Sequence, residues 1–198
     1  TAGAGDVTIT TTDSGGTTDD ITIGAAITSS AATGTLTLTA NDDVVVSNNL
    51  THAGATTITA NGAGAAVGNI YGTGVVKATS AALTLNAKQI DDDGNTSGAL
   101  GVNSGTLLID ANGSTADKNV GITSAVAIDL RQLDTAGAGD VTITTTDSGG
   151  TTDDITIGAS LASGSVATGT LTLTANDDVV VSNALTHAGA TTITANGG

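Results

Sequence analysis

The sequence predicts an all-β chain wound as a parallel β-helix (a β-solenoid) with irregular coil lengths. Three observations carry that expectation: a long internal repeat, short segments with a period of two, and a composition lacking the large residues of an ordinary core.

The repeat comes first. Residues Thr1 to Gly24 recur unchanged as Thr135 to Gly158, an offset of 134. After a variable stretch with one inserted residue, Thr33 to Gly62 recurs as Thr168 to Gly197, with Asn49 against Ala184 as the single difference. The chain therefore reads as one long unit, residues 1–134, and the first half of a near-identical unit, residues 135–198, in the same continuous solenoid. Both ends fall in mid-pattern, so it reads as an excerpt of something longer. Near-identical copies suit a spacer or fibre, in which each copy does the same mechanical work, whereas an active site need occur only once.

Within the unit, Val7-Thr8-Ile9-Thr10, Leu36-Thr37-Leu38-Thr39, Thr56-Thr57-Ile58-Thr59, Leu83-Thr84-Leu85-Asn86, Leu107-Leu108-Ile109-Asp110 and Val141-Thr142-Ile143-Thr144 alternate in a way that marks strands with one buried face. A second set lies between them at Asp20–Gly24, Asp43–Ser47 and Asp178–Ser182, with further short pieces at Ala25–Ile27 and Asn49–Thr51. Gly, Asn and Asp punctuate the segments as corners. Two or three short strands per coil describe a parallel β-helix, whose coils bury their apolar sides only by stacking.

Composition agrees. There is no Pro, Cys, Met, Trp or Phe, Tyr71 is the one aromatic residue, and Gly contributes 28 residues. A β-sandwich module is usually built around a few aromatic rings and runs near 100 residues. A 134-residue unit without Phe or Trp is a poor match. Disorder is opposed by the regular Val/Ile/Leu alternation. Four Lys and Arg against 19 acidic residues give a formal charge of −15, which leaves no cationic cluster for phosphate and excludes nucleic acid as a partner. An anionic membrane surface is disfavoured likewise, and no apolar run approaches the roughly 20 residues that span a bilayer. The absence of Cys is mildly consistent with a surface protein built without disulfides.

The segment Gly34-Thr35-Leu36-Thr37-Leu38-Thr39-Ala40-Asn41-Asp42-Asp43-Val44-Val45-Val46 resembles the rungs of filamentous-haemagglutinin-type adhesins and other giant bacterial surface proteins. In those, a Gly-x-Leu-x-Leu-x-Ala strand is followed by a turn and a second hydrophobic strand. The resemblance implies a right-handed parallel β-helix exported across the envelope, exposed at the cell surface as a long rod, with binding in particular regions. The chain departs from it in irregular coil lengths around Lys88–Gly105 and Asp110–Asp134, where protruding loops are expected.

The candidate surface is an outward Thr ladder: Thr8, Thr10, Thr37, Thr39, Thr57 and Thr59 in the first unit, and Thr142, Thr144, Thr172, Thr174, Thr192 and Thr194 in the second. Such rows resemble the ice-binding faces of antifreeze solenoids, but Asn86, Leu108 and Asp110 interrupt the array. Thr is in any case favoured in exposed parallel strands. The Asp pairs at Asp19-Asp20, Asp42-Asp43, Asp153-Asp154 and Asp177-Asp178 read as corner residues accepting backbone N–H groups in Asx-turns. The run Asp91-Asp92-Asp93 is the best candidate for weak Ca²⁺ binding, since carboxylates are hard oxygen ligands. No other cofactor is expected.

His52 and His187 occupy one position in two copies and read as exposed turn residues, without partners for a metal or a nucleophile. No Gly loop carries the Lys of a phosphate site. Paired Asp residues alone could hydrolyse a glycoside, as in polysaccharide-cleaving β-helices, but four cations and one Tyr are thin provision for holding a sugar. A catalytic role is therefore not expected. Tyr71, Lys77, Lys88 and Lys118 lie in the non-duplicated middle, residues 63–134, the region chosen if one part binds a partner. The expected function is structural or adhesive, in an extracellular filament or surface protein. Its partners would be neighbouring solenoid repeats or subunits end to end, and host or cell-surface glycans or proteins. Polysaccharide-active and ice-binding solenoids are the alternatives.

Overall fold

A segment such as Leu-Thr-Leu-Thr-Ala puts its branched side chains on one face and hydroxyls on the other, so burial requires neighbours above and below. The computed structural model describes residues 5–12, 19–29, 34–61, 68–91, 98–111, 119–135, 137–147, 149, 152–162 and 168–197. Among these residues it forms a parallel β-solenoid with strands from two to twelve residues long. Every strand pairing between them is parallel. No helix long and apolar enough to cross a membrane occurs among them.

Three stacks build the first unit. The first contains β1 (Val7–Thr10), β4 (Leu36–Ala40), β7 (Thr56–Ala60), the end of β9 (Val75–Asn86), the end of β11 (Leu100–Ala111) and β13 (Ile128–Thr135). The second runs through β2 (Ile21–Thr22), β5 (Val44–Val45), β8 (Asn69–Tyr71) and β10 (Gln89–Ile90). The third holds β3 (Ile27–Ser29), β6 (Leu50–His52) and the starts of β9 and β11. β9 and β11 are long because each turns from the third face to the first without a break. Their inside/outside alternation slips at Thr79–Ser80 and at Gly105–Thr106 respectively.

The core consists of columns of branched side chains in register. Leu38, Ile58, Leu85, Ile109 and Leu133 form one such column, each at most 2% exposed. Ala40, Ala60 and Ala111 lie buried at the ends of their strands, where the corner narrows the interior. Close-packed aliphatic columns of this kind fill the interior without aromatic rings.

The cross-section then changes. β12 (Val120–Ser124) is one straight strand that spans two stacks: Val120 pairs with Ile90 of the second, while Ile122 to Ser124 pair with Leu100 to Val102 of the third. Gly121 makes this crossing possible, because a Cβ there would lie 2.1 Å from the Gly98 carbonyl oxygen. On the opposite side β13 carries an extra residue, Arg131, where its register on β11 shifts. Such a bulge bends a strand. β15 (Ile155–Ile157) stacks on Ile128–Leu130, before the bulge, and β16 (Leu161–Ala162) also packs against β13.

The two copies consequently occupy different stacks. Val141–Thr145, β14, repeats Val7–Thr11 in sequence, yet pairs with β12 and so continues the merged second and third faces. β17 (Leu171–Ala175) and β20 (Thr191–Ala195) follow it. β15 repeats Ile21–Ile23, yet pairs with β13 and continues the first face, followed by β18 (Val179–Val181). β19 (Leu185–Thr186) pairs with β16. The stretches expected to protrude, 88–105 and 110–134, supply β10, β11, β12 and β13 in register; residues 92–97 and 112–118 within them lie outside the described residues.

Candidate functional site

The outward residues of the first face form two rows. Thr8, Thr37, Thr57 and Thr84 are register partners in succession, followed by Leu108. Thr10, Thr39 and Thr59 lead to Asn86 and Asp110. Asn86 donates from Nδ2 to the Thr59 hydroxyl at 3.2 Å, which ties the row's first interruption to the ladder. In the second copy Thr142, Thr172 and Thr192 form one row, and Thr144, Thr174 and Thr194 the other. Thr8 and Thr10 are exposed, whereas Thr37, Thr39, Thr57 and Thr59 are half-buried by their neighbours above and below. The two ladders belong to different faces and do not form one array.

The corners hold the carboxylates. Successive N–H groups of a strand point to opposite neighbours. Val7 N–H donates upward to the Thr35 carbonyl at 2.8 Å, so Thr35 N–H points down, where the preceding coil has already turned away. The Asp6 carboxylate fills that gap and accepts Thr35 N–H at 2.8 Å. The same device recurs at six further places where Asp or Asn immediately precedes a strand. Asp20 accepts Asp43 N–H at 3.1 Å, Asp43 accepts Asn69 N–H at 2.7 Å, and Asn49 accepts Val75 N–H at 3.0 Å. Asn119 accepts Asp140 N–H at 3.0 Å, Asp140 accepts Thr170 N–H at 2.8 Å, and Asp154 accepts Asp178 N–H at 3.1 Å. These bonds join one coil to the next, where the sequence suggested local Asx-turns. The reason is that the N–H at a strand start finds no backbone carbonyl where the corner turns, and the carboxylate or amide of the preceding coil supplies the acceptor. Asp147, accepting from Gly149 N–H at 2.6 Å, does form the local turn.

Stacked caps bring carboxylates together. Asp20, Asp42 and Asp43 place oxygens within 4.8 Å of one another, and so do their counterparts Asp154, Asp177 and Asp178. Three oxygens fall short of the six to eight of a Ca²⁺ site, so any hard cation held there would need water or carbonyl ligands besides. Asp91, assigned from sequence to the best Ca²⁺ candidate, is buried and accepts a hydrogen bond from the Gln89 amide; Asp92 and Asp93 lie outside the described residues. The triads were missed because Asp20 and Asp154 each lie a full coil before the Asp pair they join and meet it only through stacking.

Burial pushes the Asp43 carboxyl up to about 6, against the opposing Asn69 N–H bond and with help from the Asp42 and Asp20 charges. Asp42 is raised for the same first reason, with Asp20 and Asp19 adding to it. The Asp6 and Asp140 carboxyls are lowered by the backbone N–H bonds from Thr35 and Thr170. A folded-state value above the unfolded one means that Asp43 binds its proton more tightly when folded. Its contribution to stability is present below about pH 4 and lost as pH rises toward 6. Unfolding in urea at pH 4 and pH 7 should therefore show Asp43→Asn gaining on the parent chain at the higher pH by about 1 kcal/mol, the full shift being discounted for solvent screening. An equal difference at both values would rule out this assignment.

His52 is buried at 3% exposure, correcting the expectation of an exposed turn residue. Its Nε2 lies 2.9 Å from the Gly34 carbonyl oxygen, in the position to donate to it at the corner before β4. His187 makes the same 2.9 Å contact with Gly169 and is half-buried. Of the middle region, Tyr71 is half-buried on β8, its phenol raised by burial and by Asp43 and other nearby carboxylates. Lys88 bonds through its backbone N–H to Gly68, and Lys118 lies outside the described residues. Lys77 and Asn103, register partners on the third face, line a groove of about 490 Å³ with Val126, Thr152 and Asp153.

No protein-family model, curated protein or solved structure matches the chain.

Proposed function

We propose that this chain is a structural or adhesive segment of a long, extracellular, repetitive filament or surface protein, serving as a stiff spacer and not as a catalyst. The observation that supports the reading is the continuous parallel ladder that crosses from the first unit into the second through the β12–β14 and β13–β15 pairings. Among the described residues the ladder runs through the boundary between the copies, so added copies lengthen the same rod. The resemblance of Gly34–Val46 to adhesin rungs agrees with it, and the charge of −15 keeps long rods apart in solution. Glycan or protein binding is favoured specifically at the Lys77–Asn103 groove, because most of its lining comes from the non-duplicated stretch and it carries one of the chain's four cations.

Two measurements test the proposal. Electron microscopy of the native material should show a thin, continuous rod outside the cell, labelled by antibodies to this chain on unpermeabilised cells. Label confined to the interior would defeat the extracellular role. Beads spaced along a thread would defeat the spacer role, because a stack with a step of about 4.8 Å has no such modulation.

A further inference from the structure

We infer that the 134-residue unit closes on a half-integral number of turns, so that tandem copies present the Thr-lined face alternately on opposite sides of the rod. From β1 to β13 the first stack takes five steps, through β4, β7, β9 and β11. The strand that repeats β1 is not the next member of that stack. It is β14, which lies on β12, the strand that has merged the other two faces. In a three-faced coil the merged pair lies opposite the remaining face. The unit thus makes five turns and about half of another.

Each feature of the repeat changes sides with it. The ladder of Thr37 and Thr57 lies on the first face, and that of Thr172 and Thr192 on the merged face. Asp20, Asp42 and Asp43 sit at the corner leading from the first face to the second, whereas Asp154, Asp177 and Asp178 lead from the merged face back to the first. The device resides in β12 and β13, where Gly121 lets one strand span two faces and the Arg131 bulge lets one face become two. With coils about 4.8 Å apart, one unit advances about 26 Å and equivalent surfaces recur on the same side about every 53 Å.

The row so displayed is uncharged over Thr8, Thr37, Thr57 and Thr84, on a chain that is otherwise strongly anionic. Its alternation fits partners that lie along both sides of a rod, each meeting every second copy. A single flat partner can engage at most half the copies. The biological meaning of this rests on the spacer role proposed above; the geometry does not.

Pulsed electron–electron spin resonance on the whole chain tests the geometry. One doubly labelled variant, Thr8→Cys with Leu108→Cys, spans four steps within one row. The other, Thr57→Cys with Thr142→Cys, spans about three and a half steps but lies across the rod. If sides alternate, the Thr57/Thr142 labels point away from each other across the rod, so that about 10 Å between sheets plus both label lengths stands at right angles to an axial offset of about 17 Å, and this axially nearer pair gives the longer distance. If it gives the shorter distance, both copies face the same way and the inference is overturned. The pair Thr59→Cys with Thr144→Cys, on the neighbouring row, must return the same order. Intracellular location of the protein would sink the proposed function yet leave these distances unchanged.

Discussion

Ile109→Ala should lower the unfolding free energy by about 2–5 kcal/mol, the cost of emptying a fully buried aliphatic position. Ile109 has no exposed surface and sits in column between Leu85 and Leu133. Both neighbours are themselves fixed from above or below, so the cavity cannot close by a local shift. Urea titration followed by circular dichroism measures the loss. The outward neighbour Leu108, half-buried and already among Thr84 and Gln132, should cost far less when changed to Thr. Because each coil touches only the next, the damage should also be local. Hydrogen exchange should quicken first in β9, β11 and β13, and β1 and β20 should be the last to register it. Equal losses at 108 and 109 would mean that this face is not oriented as described.

The second large effect is expected at a corner. A Cβ on Gly54 would lie 1.9 Å from the Gly34 carbonyl oxygen and 2.9 Å from His52 Nε2. Gly34 stands in the same relation to Gly5, at 2.3 Å. The glycines at the entry to the first face are thus required because the corners nest, leaving no space for a methyl between one coil's Cα and the previous coil's carbonyl. Gly54→Ala should cost roughly 1–3 kcal/mol by overpacking and by displacing the His52 bond to Gly34. His52→Ala removes the same bond and opens a cavity, whereas His187→Ala, half-buried, should cost less. Melting temperatures of the three variants give the order. If Gly54→Ala melts with the parent chain, the corners are looser than described.

Much of this architecture is legible before folding. The period-two segments identify which side chains enter the core, and they do so almost residue by residue: Leu36 and Leu38 are buried, and Thr37 and Thr39 between them are half-buried. The missing rings forecast a core of aliphatic side chains. Asp or Asn before several of the strands marks a corner, although those side chains bind the following coil and not their own turn. His52 was misread because a lone polar residue beside Ala-Gly carries no local mark of burial; only the stacked corner encloses it.

What the sequence by itself determined was therefore the solenoid, its inward and outward faces and the duplication. What only the tertiary structure decided was the phase of the second copy, the two carboxylate triads and the burial of the histidines. Alternation specifies inside against outside, a choice made within each strand by the chain's own covalent geometry. Which stack a strand joins depends on the accumulated length of every corner before it, and on two special events, the straight β12 and the bulged β13. Identical segments such as Val7–Thr11 and Val141–Thr145 can therefore carry the same local instruction and still come to rest on opposite sides of the same rod.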